Sequence, residues 1–195
     1  MKGGLFLMVI AVAGWYWWPP AEIVHAPGTL AAVAPRQSPL TQPGPTLSKP
    51  GYSIVPLAEF ELEARVLRVE RYRFDRGADL SPVDLALGWG RMSDSAVLDR
   101  IEITQSRRFY YWTTPEYPIP RQEIETSSAN MHIVPGNESV ARRLSTIQRG
   151  HLVRLSGYLI EVRGADGWPW RSSLTRTDTG EGACELIWVE RLSAH

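Results

Sequence analysis

The chain has little of several residue types, and each shortage excludes a class of protein. Cys184 is the only cysteine among 195 residues, which excludes an intrachain disulfide and a cysteine-based metal cluster. The only lysines are Lys2 and Lys49, and with a formal net charge of +0 the chain lacks the basic excess of most nucleic-acid-binding domains. The four histidines have no metal-ligand spacing, so no metal site is predicted. No glycine-rich phosphate loop is present, and no cofactor is predicted.

The remaining composition fits one folded domain with a tail. Hydrophobic residues make up 44% of the sequence, which at this length supports one domain with a real core but not two full domains. We predict a membrane anchor or signal-anchor over residues 1–18, a proline-rich stalk over 19–50 and a β-rich globular domain over 51–195.

The N-terminus carries an uncharged run, residues 3–18, that ends in four aromatic residues. Aromatic clusters of this kind are typical of the membrane–water interface. At about 1.5 Å per residue the run covers roughly 24 Å of a hydrocarbon core of about 30 Å, which is short for a span. We predict a single transmembrane helix in the inner membrane, with the body in the periplasm because Lys2 precedes the run. A cleavable signal peptide is the alternative interpretation, since Ala11-Val12-Ala13 is an A-x-A pattern.

Residues 19–50 are dense in proline, alanine, glycine, threonine and serine, and they show no periodic pattern. This composition does not offset the entropy lost on ordering, and the prolines keep the chain extended. We therefore interpret the segment as a stalk that holds the folded body away from the bilayer or is grasped by a partner.

The segment from Gly150 to Val162 predicts a central β-strand. Its apolar residues alternate and then change phase at Gly157, which indicates a bulge or a sharp bend. Asp166-Gly167 predicts a turn. Strands over residues 170–175 and 184–190 then complete a predicted three-strand meander.

The other elements predict a small barrel. A bent strand is expected over residues 61–74, because its alternation breaks twice. Ser81-Pro82-Val83-Asp84 matches a capping box and predicts a short helix that ends at Gly88. Asn137 predicts the cap of a second helix, which ends at Gly150. The predicted fold class is mainly β (α+β): a partly open antiparallel barrel, OB-like or SH3-like, with one or two helices.

Two places in the domain are candidates for a contact surface. Trp89 lies between two glycines, where a large ring either fills the core or stands out as a platform for a ligand. The strand pattern over residues 128–133 puts Ser128, Asn130 and His132 on one face. A polar row with a histidine suits a ligand or acid–base site, although any solvated strand has the same pattern.

Arg107 and Arg108 precede a run of aromatic residues and are candidates for cation–π contacts or base stacking. With Tyr110 and Trp112 they support an alternative function, the binding of single-stranded nucleic acid by a small barrel. The neutral net charge argues against it.

An enzymatic alternative is a cell-envelope hydrolase with Cys184 as the nucleophile, His132 as the base and an acid such as Glu185 or Asp178. Two observations count against it. Cys184 falls on the apolar face of its predicted strand, where cysteine behaves as a small hydrophobe. No nucleophile elbow precedes it.

The segments DLSPVDLALGWGRMSD, SSANMHIVP and RSSLTRTDTGEGACELIWVE together resemble a group of uncharacterised bacterial proteins with an N-terminal membrane segment and no assigned activity. The resemblance covers most of residues 75–190. It implies a complete protein of that kind and carries over no catalytic residue.

From these patterns we expect a non-enzymatic binding or assembly protein of a cell-envelope complex. The membrane contact is expected through residues 3–18, and an envelope protein is the expected partner. The contact surface is predicted at the loop around Trp89 and at the polar row of Ser128, Asn130 and His132.

Overall fold

A computed structural model describes residues 22–42, 44–175 and 184–195. The predicted membrane anchor lies outside this range, and within the range no helix is long and apolar enough to cross a bilayer. In chain order the described strands are β1 (Arg36–Ser38), β2 (Ser48–Lys49), β3 (Tyr52–Arg71), β4 (Val83–Gly88), β5 (Glu102–Ser106), β6 (Phe109–Thr113), β7 (Ser128–Pro135), β8 (Leu152–Gly164), β9 (Pro169–Arg171) and β10 (Glu185–Ala194). The described helices are a 3₁₀ helix (Gly90–Ser93), α1 (Ser95–Leu98), α2 (Arg121–Thr126) and α3 (Glu138–Ser145).

Five strands pair in a ring, in the order β3, β4, β7, β10, β8 and back to β3. The pairs are antiparallel except β7 with β10, which is parallel, so the sheet is not purely antiparallel as predicted. The ring encloses an apolar core to which α3 contributes Val140 and Leu144. The prediction of a mainly β chain with a small barrel-like fold is confirmed.

β3 is the longest strand and begins earlier than predicted, at Tyr52. Its pairing register shifts between Pro56 and Ala58 and again between Val66 and Arg68. Such irregularities bend a strand, and the bends let β3 pair with β8 along one part and with β4 along another. The expectation of a long strand that bends is therefore confirmed.

The predicted meander of the last three strands is wrong. β9 and β10 pair with successive parts of β8: β9 with residues 161–163 and β10 with residues 153–159. The phase change at Gly157 is not a bulge in β8, because the register shift lies in β10. Leu155 and Leu159 on one face of β8 pack in the barrel core, while Ile160 and Val162 on the other face pack in a separate apolar cluster. Glycine is needed at position 157 because a Cβ there would collide with the Trp188 carbonyl oxygen.

The predicted helix at residues 82–87 is also wrong, because the segment forms β4. Every residue of β4 is buried, since the core covers one face and the β5–β6 hairpin region covers the other. A short apolar run in a strand buried on both faces has no alternation that distinguishes it from a buried helix. Asp84, interpreted as part of a capping box, therefore lies inside the protein.

The helix predicted after Asn137 is confirmed as α3. The Asn137 side chain accepts a hydrogen bond of 3.0 Å from the Val140 N–H group, as an N-cap residue does. Two shorter helices, α1 and α2, pack with the β5–β6 hairpin in a second apolar cluster outside the barrel.

The described part of the predicted stalk lies against the barrel. β1 and β2 pair with β3, and the Ile23 N–H group donates to the Arg149 carbonyl oxygen over 3.1 Å. Ala31 is 3% exposed, and its carbonyl oxygen accepts from the Gly90 N–H group. Backbone hydrogen bonds to the barrel therefore order this segment, although its composition alone predicts no ordered structure.

Candidate binding pocket

The candidate site lies on the outer face of β4 and β7. Asp84 on β4 pairs with His132 on β7, and Asn130 lies two residues before His132 on the same face. The alternation predicted for β7 is confirmed, because Met131 and Ile133 point into the barrel core. The polar face is nevertheless buried: Asp84 is 0%, Asn130 1% and His132 4% exposed.

Asp84 is the centre of this polar cluster. Its Oδ1 accepts a 2.9 Å hydrogen bond from Nη1 of Arg108, and its Oδ2 lies 2.9 Å from Nδ1 of His132. Asn130 Nδ2 donates to the same Oδ2 over 3.4 Å. A buried carboxylate without a partner costs several kcal/mol, so Arg108 is the group that makes the burial of Asp84 tolerable.

Arg108 reaches Asp84 from the turn of the β5–β6 hairpin and holds three elements together. Its Nε and Nη2 donate to Asp75 over 2.6 and 2.8 Å, and its Nη1 also donates to the Ser81 carbonyl oxygen over 2.8 Å. The guanidinium carbon lies 3.6 Å from the centre of the Tyr72 ring. Burial by itself would lower the pKa of Arg108, but the hydrogen bond with Asp75 and the charge of Asp84 raise it on balance.

The backbone of this turn is strained. Ser106 pairs with Phe109, so Arg107 and Arg108 form a two-residue loop, and their φ angles are 52° and 72°. Asparagine and glycine are the usual residues in such loops, because other side chains cost roughly 1–2 kcal/mol each in the left-handed region. Strain of this kind persists where other contacts hold it, and here the contacts of Arg108 do so.

Asn130 connects the cluster to the hairpin and to Cys184. Gln105 Nε2 donates to Asn130 Oδ1 over 2.6 Å, and Asn130 Nδ2 donates to the Arg108 carbonyl oxygen over 2.9 Å. The Cys184 sulfur lies 3.9 Å from Asn130 Nδ2 and 3.8 Å from the Arg108 carbonyl oxygen. The thiol therefore belongs to the same network as the polar row.

A pocket of about 660 Å³ lies beside this cluster. Three segments form its wall: the β3–β4 loop with Asp75 and Arg76, the hairpin turn with Arg108, and the β8–β9 hairpin with Trp168, Trp170 and Arg171. His132 and Cys184 line it as well. The volume lies within the range of small-ligand sites in proteins.

Two tryptophans give the pocket an aromatic wall. The ring centres of Trp168 and Trp170 are 5.4 Å apart, and Trp170 lies 4.8 Å from the ring of His132. The Arg76 guanidinium stands 5.1 Å from the centre of the Trp168 ring. Glycine is required at position 77, because a Cβ there would be 2.7 Å from the Trp170 ring. Both rings are half-buried, so each is packed on one side.

Each of the three arginines that line the pocket has an acidic partner. Arg76 pairs with Asp166, Arg171 pairs with Glu161, and Arg108 pairs with Asp75 as well as Asp84. Of the acidic partners only Asp75 lines the pocket itself, and the ion pairs largely compensate the charges of the three arginines.

Several residues predicted as site residues lie together in the structure. His132, Arg108 and Cys184 line the pocket, and Asn130 lies beneath it. Arg107 shares the hairpin turn but does not line the pocket.

Other predicted residues lie elsewhere. Trp89 was expected at a contact surface and is 3% exposed in the barrel core, so the ring fills the core. Ser128 is buried beneath the hairpin, where its Oγ lies 3.1 Å from the Tyr110 hydroxyl. Tyr110 and Trp112 pack against the second apolar cluster instead of presenting stacking faces for nucleic acid.

The acid that lies 2.9 Å from His132 is Asp84, which was not predicted for that position. Asp178 lies outside the described residues, and Glu185 is buried on β10. The sequence offered one signal for Asp84, a lone acid within the apolar run of β4. Trp168 and Trp170 were missed as wall residues, although their spacing of two around a proline is visible in the sequence.

Comparison with protein-family models gave no match, and neither did comparisons with curated proteins and with solved structures. In the part of the chain that the structure describes, no group of three or more His, Cys, Asp or Glu side chains is arranged to hold a metal ion.

Proposed function

We propose that this chain is a membrane-anchored, periplasm-facing binding protein of a cell-envelope complex, and that the pocket between the β3–β4 loop and the β8–β9 hairpin holds its ligand. The observation that carries the proposal is the construction of the pocket. Its polar floor is buried, with Asp84 at 0% exposure and hydrogen-bonded to Arg108, while two half-buried indoles form its wall. A preformed cavity with few placed polar groups is typical of a binding site.

The barrel order supports an OB-like rather than an SH3-like fold. Counted in chain order, the third and fifth strands of the ring, β7 and β10, are parallel neighbours, and α3 connects the third strand to the fourth, β8. OB-like barrels bind ligands on the face of their second and third strands and on adjoining loops. The pocket lies beside the third of these strands, β7, which contributes His132, and beside the matching loops. This is an analogy of fold, which supports the place of the site and not its ligand.

A capture experiment tests the binding role. The full chain, expressed in a Gram-negative host and crosslinked in the membrane fraction, is compared with Trp170→Ala and with Tyr111→Ala. Tyr111 is 53% exposed on β6 and does not line the pocket, so it is the matched aromatic control. We expect an envelope component that is captured by the wild type and the control but lost with Trp170→Ala. Equal capture by all three folded chains would contradict the proposal.

One observation favours a second function, a thiol hydrolase. His132 Nδ1 lies 2.9 Å from Asp84 Oδ2, and His132 and Cys184 line one pocket. In that mechanism His132 takes the proton of the Cys184 thiol, and the sulfur bonds to an acyl carbonyl carbon. The leaving group departs with the proton, and water then hydrolyses the thioester. Asp84 stabilises the imidazolium.

The rate of Cys184 alkylation against pH separates the two functions. A hydrolase requires fast alkylation with an apparent pKa well below the reference of about 8.5, and His132→Ala must remove that shift. Alkylation that is slow until the chain unfolds, with or without His132, would exclude the hydrolase and leave the binding role.

A further inference from the structure

We propose that the pocket binds a neutral saccharide, whose ring stacks on the Trp168–Trp170 wall and whose hydroxyl groups bond to the lining arginines and to Asp75. This inference rests on the proposed binding function and names the class of its ligand.

The aromatic wall is suited to a ring with an apolar face. Trp168 and Trp170 lie 5.4 Å apart at an interplanar angle of 46°, so the two indoles form a bent surface rather than a stacked pair. Trp170 is fixed by His132 on one side and needs Gly77 for its close packing, so its orientation is set before a ligand arrives. A pyranose has C–H groups on its faces and can cover such indoles, while its hydroxyl groups point outward from the ring edge.

The paired charges select hydroxyl groups. A hydroxyl both donates and accepts a hydrogen bond, so it is satisfied where a guanidinium and a carboxylate stand side by side. The pocket wall offers one such place, Arg108 with Asp75, because both residues line it. Arg76 and Arg171 also line the pocket, but their partners Asp166 and Glu161 do not.

The same pairing disfavours nucleic acid, the other ligand for which stacking rings and arginines would be suited. A phosphate must compete with the carboxylate already bound to each arginine that lines the pocket. Nucleic-acid sites instead present uncompensated cations and release counterions on binding.

Calorimetric titration of the full chain tests the inference, in a detergent without a sugar head group. The probes are chitotetraose, cellotetraose and maltotetraose, with an octathymidylate as the anionic comparison. We expect at least one tetrasaccharide to bind with an affinity that is unchanged between about 50 and 200 mM salt, where nucleic-acid binding falls steeply. Trp168→Ala should weaken it by about tenfold or more, Trp168→Phe should restore most of it, and Tyr111→Ala should leave it unchanged.

Two results would overturn the inference. One is the absence of binding by all three tetrasaccharides while membrane capture still depends on Trp170, which rejects the saccharide but keeps the binding function. The other is salt-dependent binding of the octathymidylate through Trp168, which assigns the pocket to nucleic acid. If no tetrasaccharide bound and membrane capture did not depend on Trp170, the proposed binding function would be rejected as well.

Discussion

The two faces of the β4–β7 strand pair are both buried, yet they are built from different chemistry. The inner face presents Leu85, Leu87, Met131 and Ile133 to the barrel core. The outer face presents Asp84 with Asn130 and His132, and every one of these is at most 4% exposed. The same two strands therefore carry an apolar core on one side and a polar network on the other.

The difference comes from what covers each face. Other strands of the ring and α3 cover the inner side, and they bring only apolar groups. The outer side is covered by the hairpin turn, whose Arg108 supplies a charge, and by the segment that carries Cys184. Where loops cover a sheet they bring unpaired backbone groups and long polar side chains, so a pocket with chemistry forms there and not in the core.

The largest effect expected on the outer face follows the removal of Asp84. Asp84→Ala removes one of the two carboxylates that hold the largely buried Arg108, leaving only Asp75, and should lower the free energy of unfolding by about 3–5 kcal/mol. Replacing both partners, Asp84→Leu with Arg108→Met, should cost less than Asp84→Ala alone, because no buried charge is left unpaired and Asp75, the other partner of Arg108, is 37% exposed. Chemical denaturation measures both, with Leu85→Ala on the inner face as the apolar reference at about 2–5 kcal/mol. If the double variant lost as much free energy of unfolding as the two single variants together, this account of the polar face would be contradicted.

The hairpin turn offers a comparison between neighbouring arginines. Arg107→Gly should raise the free energy of unfolding by about 1 kcal/mol, because glycine relieves the positive φ angle and Arg107 does not line the pocket. Arg108→Gly relieves similar strain but removes the partner of Asp84, so a net loss of about 2–3 kcal/mol is expected. Thermal or urea denaturation gives both values. If both substitutions raised the free energy of unfolding, the turn would not depend on Arg108.

A smaller effect is expected at high pH from Tyr110, which joins the hairpin to the outer face. Burial raises its pKa from 10.0 to about 12. The folded state therefore favours the neutral phenol, and this contribution is complete below pH 10 and disappears as the pH rises through about 12.

Tyr110→Phe should cost about 1 kcal/mol at neutral pH, through the lost hydrogen bond to Ser128. The stability difference between wild type and variant should then shrink between pH 10 and 12. Tyr111→Phe, at a position that is 53% exposed, is the control. A difference that stays constant across this pH range would contradict the role of Tyr110.

The sequence predicted the parts of the fold whose signals are local. The alternation of β7 and the cap at Asn137 each depend on a few neighbouring residues, and both were identified correctly. β4 was not, because a strand buried on both faces loses its alternation and Ser81 to Asp84 also matches a capping box. β10 pairs directly with β8, and no local pattern in the sequence encodes this long-range pairing.

The candidate site was predicted only in part for the same reason. His132, Asn130 and Arg108 were identified by residue type, but their common partner Asp84 comes from a strand that pairs with β7 across a long separation in sequence. The tryptophan wall depends on the β8–β9 hairpin folding back over the β3–β4 loop, where Gly77 makes room for Trp170. Packing of this kind is set by the tertiary fold, not by spacing along the chain.

The pairings of β3 also set the order in which the protein is able to fold. The ring closes only when Tyr52 near the start of the domain meets Gly164 near its end, and such distant contacts slow folding. Until then an emerging chain exposes Phe60 and Leu62 on a strand with open edges, which invites aggregation. β2 is the nearest partner of β3 in sequence, and β1, which also precedes β3, pairs with it through Gln37 and Phe60. We expect this short N-terminal strand to form early and to shield one edge of β3 while the rest of the barrel is synthesised.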